Sequence, residues 1–173
     1  RASLAASCVK NGFETRTAYY DAAMRDTMLE EQRLVDDMAS AIDNGQFKLY
    51  FQPQVNYDTG ALIGAEALVR WQHPTRGLLT PDQFIPLFER NSKITLLDEY
   101  VWERCCEYMR RWLDLIPQAK DLELSISANV SRLDIRNEKL CEMLCSLTKK
   151  YGLSPSMLRL EITESAYMED QQQ

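Results

Sequence analysis

Four stretches of this chain alternate apolar and polar residues with a period of two, at Lys48–Val55, Ala61–Trp71, Leu122–Val130 and Met157–Thr163. The first two are separated only by the turn Asp58-Thr59-Gly60, whereas the later ones are separated by segments of helical period. A strand pair, two helices, a strand, a helix and a strand in that order predict a mainly parallel α/β sheet, open or closed into a barrel. Four strands make half of an eight-stranded barrel. The predicted fold class is therefore α/β, preceded by an amphipathic linker helix.

The linker helix is read from about Asp26 to Asn44, where Leu34, Met38, Ala41 and Ile42 recur at helical spacing and Gly45 supplies the stop. Thr80-Pro81-Asp82-Gln83 offers a hydroxyl cap, proline at the first helical position and glutamine at N3, so a second helix starts there. A third, from about Thr95 to Leu115, sets Leu97, Val101, Cys105, Tyr108 and Trp112 on one stripe. The fourth runs from about Asn137 to Tyr151 and ends at Gly152 and Ser154-Pro155.

Charge and cysteine usage narrow the classes of function. With 26 acidic against 20 basic residues the net charge is −6, which argues against DNA or RNA as a partner and against attraction to an anionic membrane surface. No apolar run reaches the roughly 20 residues that span a bilayer, and the opening RASLAASCVK lacks a signal-peptide core, so a cytoplasmic location is expected. Five cysteines, Cys8, Cys105, Cys106, Cys141 and Cys145, are an odd number on predicted helices. They read as small buried apolar residues in a reducing compartment rather than as disulfides or a zinc site.

The chemistry rests on charges placed within strands. Ala61–Trp71 is apolar enough for a buried strand, yet it carries Glu66 and Arg70, which share one face with Gly64 and Leu68 on period two. A lone buried carboxylate costs several kcal/mol unless it is paired. Two partners are open from spacing alone. Glu66 can pair with Arg70 at i+4, with Asn129 serving as a turn residue or helix cap. Alternatively Glu66, Asn129 and Glu161, each near the C-terminal end of its strand, converge on a divalent cation. Two carboxylates and an amide oxygen are hard donors suited to Mg²⁺ or Mn²⁺. His73, the single histidine, stands before Pro74 in a turn and is assigned no catalytic part.

The motifs GAEALVRWQHP (Gly64–Pro74), FQPQ (Phe51–Gln54), TPDQFIPLFE (Thr80–Glu89), LDEYVW (Leu97–Trp102), SANVS (Ser127–Ser131) and LEITES (Leu160–Ser165) occur in that order. From about residue 29 to 173 the chain resembles the EAL-domain phosphodiesterases of cyclic-di-GMP, with Glu66-Ala67-Leu68 as the signature tripeptide, and the resemblance implies that the sheet is the first half of a modified (β/α)8 TIM-type barrel. VKNGFETRTAYYDAAMRD (Val9–Asp26) resembles the tail of a GGDEF diguanylate cyclase domain, so residues 1–28 are expected to be that tail and its link. No GGDEF loop is present in the chain, and cyclase activity is not expected of it.

By matching position the resemblance implies Glu66, Asn129 and Glu161 as metal ligands and Gln52, Leu68 and Arg70 as residues near the dinucleotide. It implies Glu164 as the glutamate that steadies an active-site loop, and Mg²⁺ or Mn²⁺ as cofactor. The implied reaction hydrolyses one phosphodiester of cyclic-di-GMP to linear pGpG in bacterial second-messenger signalling, and a homodimer is implied for the full-length protein. The pattern departs from the family in one large respect: the aspartate pair, lysine and further glutamate of the family's second half do not occur within these 173 residues. Truncation is therefore expected, with this chain inactive alone, and Ala128 replaces a more usual valine. The alternative expectation is a non-catalytic cyclic-di-GMP receptor or GGDEF–EAL scaffold.

Overall fold

The computed structural model describes residues 22–116 and 124–162. The chain divides into two units, residues 1–39 and 40–173. Helix α1, Ala22–Asp43, begins four residues before the sequence reading and buries Leu34, Val35, Met38 and Ala41 along one stripe. It stops as expected at Gly45, whose φ of 61° suits the left-handed region that glycine enters at no steric cost.

Four strands form one continuous sheet, with a short fifth strand attached to it. Strand β1 (Phe47–Val55) pairs antiparallel with β2 (Leu62–His73), and β3 (Gly77–Leu79) folds back antiparallel on the end of β2. Strand β4 (Ser125–Val130) pairs parallel with β2, and β5 (Leu158–Ile162) pairs parallel with β4. The helices are α2 (Pro81–Arg90), α3 (Ile94–Leu115), α4 (Arg132–Ile135) and α5 (Leu140–Lys150), followed by a 3₁₀ turn at Pro155–Met157. The expected α/β architecture is present, and among the described residues the sheet does not close into a barrel. Strand β3 and helix α4 are absent from the sequence reading because three and four residues are too few to display a period.

One face of the sheet packs on helices. Phe47, Trp71, Phe84 and Phe88 cluster there with ring centroids 4.9–6.3 Å apart, mostly tilted or edge-on, a geometry favoured by the ring quadrupoles. The indole of Trp71 is fully buried, and its N–H donates to Gln46 Oε1 at 3.0 Å. Helix α3 buries Leu97, Val101, Trp102, Cys105, Cys106, Met109 and Leu113. Tyr108 and Trp112, expected on that stripe, are half-buried at its flank and meet the ring of Phe51 edge-on at 5.1 and 4.8 Å. Cys105 and Cys106 are buried as expected. Cys141 and Cys145 are not: both are free and exposed, because α5 turns its half-buried leucines inward and leaves these positions to solvent.

Helix α2 begins at its expected cap. Gln83 Oε1 accepts from the Thr80 backbone N–H at 2.9 Å and from the Thr80 hydroxyl at 3.2 Å. Gln83→Ala removes both bonds on the solvent side and is expected to cost about 1 kcal/mol. Urea unfolding of the two proteins, with an unchanged slope and a lowered midpoint, checks it.

Candidate active site on the concave face of the sheet

The opposite face of the sheet carries the polar set. Ladder register pairs Gln52 with Glu66, Glu66 with Ser127, and Asn129 with Glu161, and residues paired in register point to the same side. Leu68 and Arg70 follow Glu66 on this face by period two. Gln52, Leu68, Arg70, Glu66, Asn129 and Glu161 therefore share one surface, contributed by four strands. Glu66 lies level with Ser127, one step of two residues, or about 7 Å along the strand, below the Asn129–Glu161 pair.

The surface is concave. In a flat sheet, β1 and β5 would stand about 14 Å apart across three strand intervals. Instead the amide of Gln54 on β1 donates to Glu161 Oε1 on β5 at 3.5 Å. Only a sheet curled toward a barrel brings those side chains together. Gln54 belongs to the quoted FQPQ motif, but its reach to Glu161 depends on curvature and was not legible from spacing.

Strands β2 and β4 come into close contact at Gly64. A Cβ placed at Gly64 would stand 2.3 Å from the Ser125 carbonyl oxygen, so β2 and β4 approach each other only because this position lacks a side chain. Glu66 follows two residues later, on the same face.

The two partners open to Glu66 in the sequence are separated by geometry. No Glu66–Arg70 ion pair forms among the described residues. The Arg70 guanidinium donates from Nη1 to its neighbour's carbonyl, Val69 O, at 2.8 Å. Asn129 is neither turn residue nor cap; it ends the inner face of β4 with its side chain exposed, and Ser131 caps α4. His73 stands on the other face, its ring 5.1 Å from that of Trp71 and its Nδ1 accepting from the Thr75 N–H at 3.3 Å. Glu164 lies outside the described residues.

Hard oxygen donors on a concave, half-buried polar face fit a Mg²⁺- or Mn²⁺-class cation in their chemistry. Among the described residues, however, no three histidine, cysteine, aspartate or glutamate side chains stand together in a group able to hold a metal. The oxygen donors that share this face are the carboxylates of Glu66 and Glu161 and the amide of Asn129.

Behind Asn129 the chain is held from the helix side. The Trp102 indole N–H donates to Asn129 O at 3.2 Å, and one turn earlier on α3 Asp98 Oδ2 accepts the Ser131 N–H at 3.0 Å. Asp98 is buried and its pKa is pushed up to about 8, first by loss of water and then by the hydrogen bond and charge of Asp134. A cleft of about 360 Å³, lined by Asp82, Glu89, Asp98, Asn129 and Arg132 among others, opens beside this turn.

The EAL domain family model matches residues 35–173. The chain belongs to the EAL-domain family. It is 35% identical over 161 residues to the bifunctional diguanylate cyclase/cyclic di-GMP phosphodiesterase MucR of Pseudomonas aeruginosa, a match covering 93% of this chain and 22% of that protein. The solved PaMucR phosphodiesterase, in its c-di-GMP complex, superposes with a TM-score of 0.71 at 37% identity, covering 81% of this chain and 55% of that one. The EAL enzyme Bd1971 in its cAMP- and cyclic-di-GMP-bound form gives a TM-score of 0.72 at 26% identity, covering 83% and 39%. The chain thus spans about a fifth of the length of the first curated relatives it matches and about half of the solved MucR chain. No described helix is long and apolar enough to cross a membrane.

Proposed function

We propose that the EAL-domain protein containing this chain is a phosphodiesterase that hydrolyses cyclic-di-GMP to linear pGpG. The observation that carries this reading is the convergence of Glu66, Asn129 and Glu161 on one concave face, in a chain 37% identical to a solved phosphodiesterase in its c-di-GMP complex. Glu66, Asn129 and Glu161 are the residues that would hold Mg²⁺ or Mn²⁺. When bound, such an ion lowers the pKa of a water and neutralises charge on the phosphate.

The remaining roles belong to this chain's own side chains. Arg70 has N–H donors beyond the one given to Val69 O, and these pair with a phosphate oxygen through charge-assisted hydrogen bonds. Leu68 offers the base an apolar surface, and Gln52 on the adjoining strand supplies an amide to the same face. Water attacks phosphorus opposite the 3′ oxygen; the phosphorus–oxygen bond to that atom breaks, and the 3′ oxygen leaves with a proton. Glu164 is assigned the part of steadying an active-site loop, and residues 1–28 are assigned to the tail of a preceding GGDEF domain and its link.

A cyclic-di-GMP receptor or scaffold role is the second reading, and one experiment separates the two. The full-length protein, supplied with Mg²⁺ or Mn²⁺ and cyclic-di-GMP, is expected to release pGpG and to stop when the metal is chelated. Binding of cyclic-di-GMP with no pGpG formed, by folded and metal-supplied protein, would transfer the assignment to the receptor.

A further inference from the structure

Two buried carboxyls that the hydrolysis does not use meet at the turn that follows β4. Ser131 is the point on which they converge. Its N–H donates to Asp98 Oδ2 from helix α3, and its hydroxyl donates to Asp134 Oδ2 from helix α4. The Asp134 N–H donates back to Ser131 Oγ at 3.2 Å. Asp98 is 9% exposed, Ser131 8% and Asp134 2%, so the cluster is an interior one.

Its place in the chain matters more than its composition. Asp98 and Trp102 stand one helical turn apart on α3, and their hydrogen bonds go to Ser131 N–H and Asn129 O. Those two contacts bracket the three-residue segment Asn129-Val130-Ser131, whose middle side chain, Val130, is buried. Helix α3 therefore fixes the backbone on both sides of Val130 and, with it, the direction in which Asn129 leaves the strand.

We propose that Asp98 and Asp134 are positioning residues for Asn129, closing the turn on Ser131 from two sides so that the Asn129 amide is held at the rim of the site. This rests on the reading of Asn129 as a metal ligand. Two carboxylates on one buried serine would repel each other, and the pair is stable because Asp98 keeps a proton, its pKa raised to about 8, and bonds to Asp134 through it. The charged groups around Asp98 are Asp134 and Arg132 of α4 and, across the cleft, Asp82 and Glu89 of α2. Strand β4 contributes no ionisable side chain.

The sign of the pH dependence follows. Asp98 is raised in the folded protein from an ordinary value of 3.8 to about 8, so the stability that it contributes is complete below about pH 4 and is lost as pH rises through about 8. Asparagine at this position offers the same oxygen to Ser131 and an N–H₂ donor to Asp134 with no proton to lose.

The test uses the full-length protein, with Mn²⁺ alone as the probe and its binding midpoint as the readout. Asp98→Ala is expected to raise the midpoint about tenfold, as losing a group that orients a ligand does elsewhere, while Asp98→Asn restores it to within about twofold. Thermal unfolding between pH 5 and pH 8 is the second measurement, because Asp98→Asn folds even if Asp98→Ala does not. The wild type is expected to lose Tm across that range relative to Asp98→Asn. An unshifted Mn²⁺ midpoint in folded Asp98→Ala, or parallel pH profiles of Tm, would overturn the inference. A wild type that binds no Mn²⁺ would overturn the metal-site reading, and this inference with it.

Discussion

Glu66→Gln in the full-length protein is expected to lower metal-dependent turnover of cyclic-di-GMP by more than about 100-fold, since changing only a group that orients a ligand already costs 10–100-fold. The substitution keeps size and shape and removes one negative charge. Glu66 forms no ion pair among the described residues, so no internal partner is orphaned. The unfolding temperature is expected to hold or rise, because a half-buried carboxylate becomes neutral. Activity and stability measured on the same preparation check both halves. Turnover near the wild-type value would remove Glu66 from the reaction, and a collapsed Tm would assign it to the fold instead.

Gly64→Ala is expected to act in the opposite manner, through the scaffold. Its Cβ would sit 2.3 Å from the Ser125 carbonyl oxygen, and that neighbour is backbone within a parallel ladder rather than the end of a movable side chain. Overpacking at ordinary core positions costs about 1–3 kcal/mol, and a contact with backbone belongs at or above the upper end of that range. Relief requires β2 and β4 to part beside Glu66, so turnover is expected to fall together with the urea midpoint. A protein that unfolds at the wild-type midpoint would show that the two strands are not in such close contact.

The strand pattern of this chain was legible because each strand has one face on helices and one toward the concavity, so that period-two alternation survives. The same alternation placed Glu66, Leu68 and Arg70 on a common face. It was silent on depth and curvature. Gly64 read as one more residue of that face, and only the cross-strand register to Ser125 shows why it must be glycine. Likewise, Asp98 and Asp134 are 36 positions apart, and nothing local marks them as partners. Cys141 and Cys145 were misread because a cysteine's usual burial outweighed the helix face on which they lie. The choice between Arg70 and a metal as partner of Glu66 stayed open in the sequence, where i+4 spacing allows a pair that the observed guanidinium does not make.

The central claim is that Glu66, Asn129 and Glu161 share one cation on the concave face. Its most direct test is a crystal of the full-length protein grown with Mn²⁺ and cyclic-di-GMP, with the metal located from its anomalous signal. The account predicts a Mn²⁺ peak within about 2.0–2.4 Å of oxygens from all three side chains, with a phosphate beside it. A peak that leaves Glu66 or Glu161 unbound, or none on this face with cyclic-di-GMP present, would contradict it.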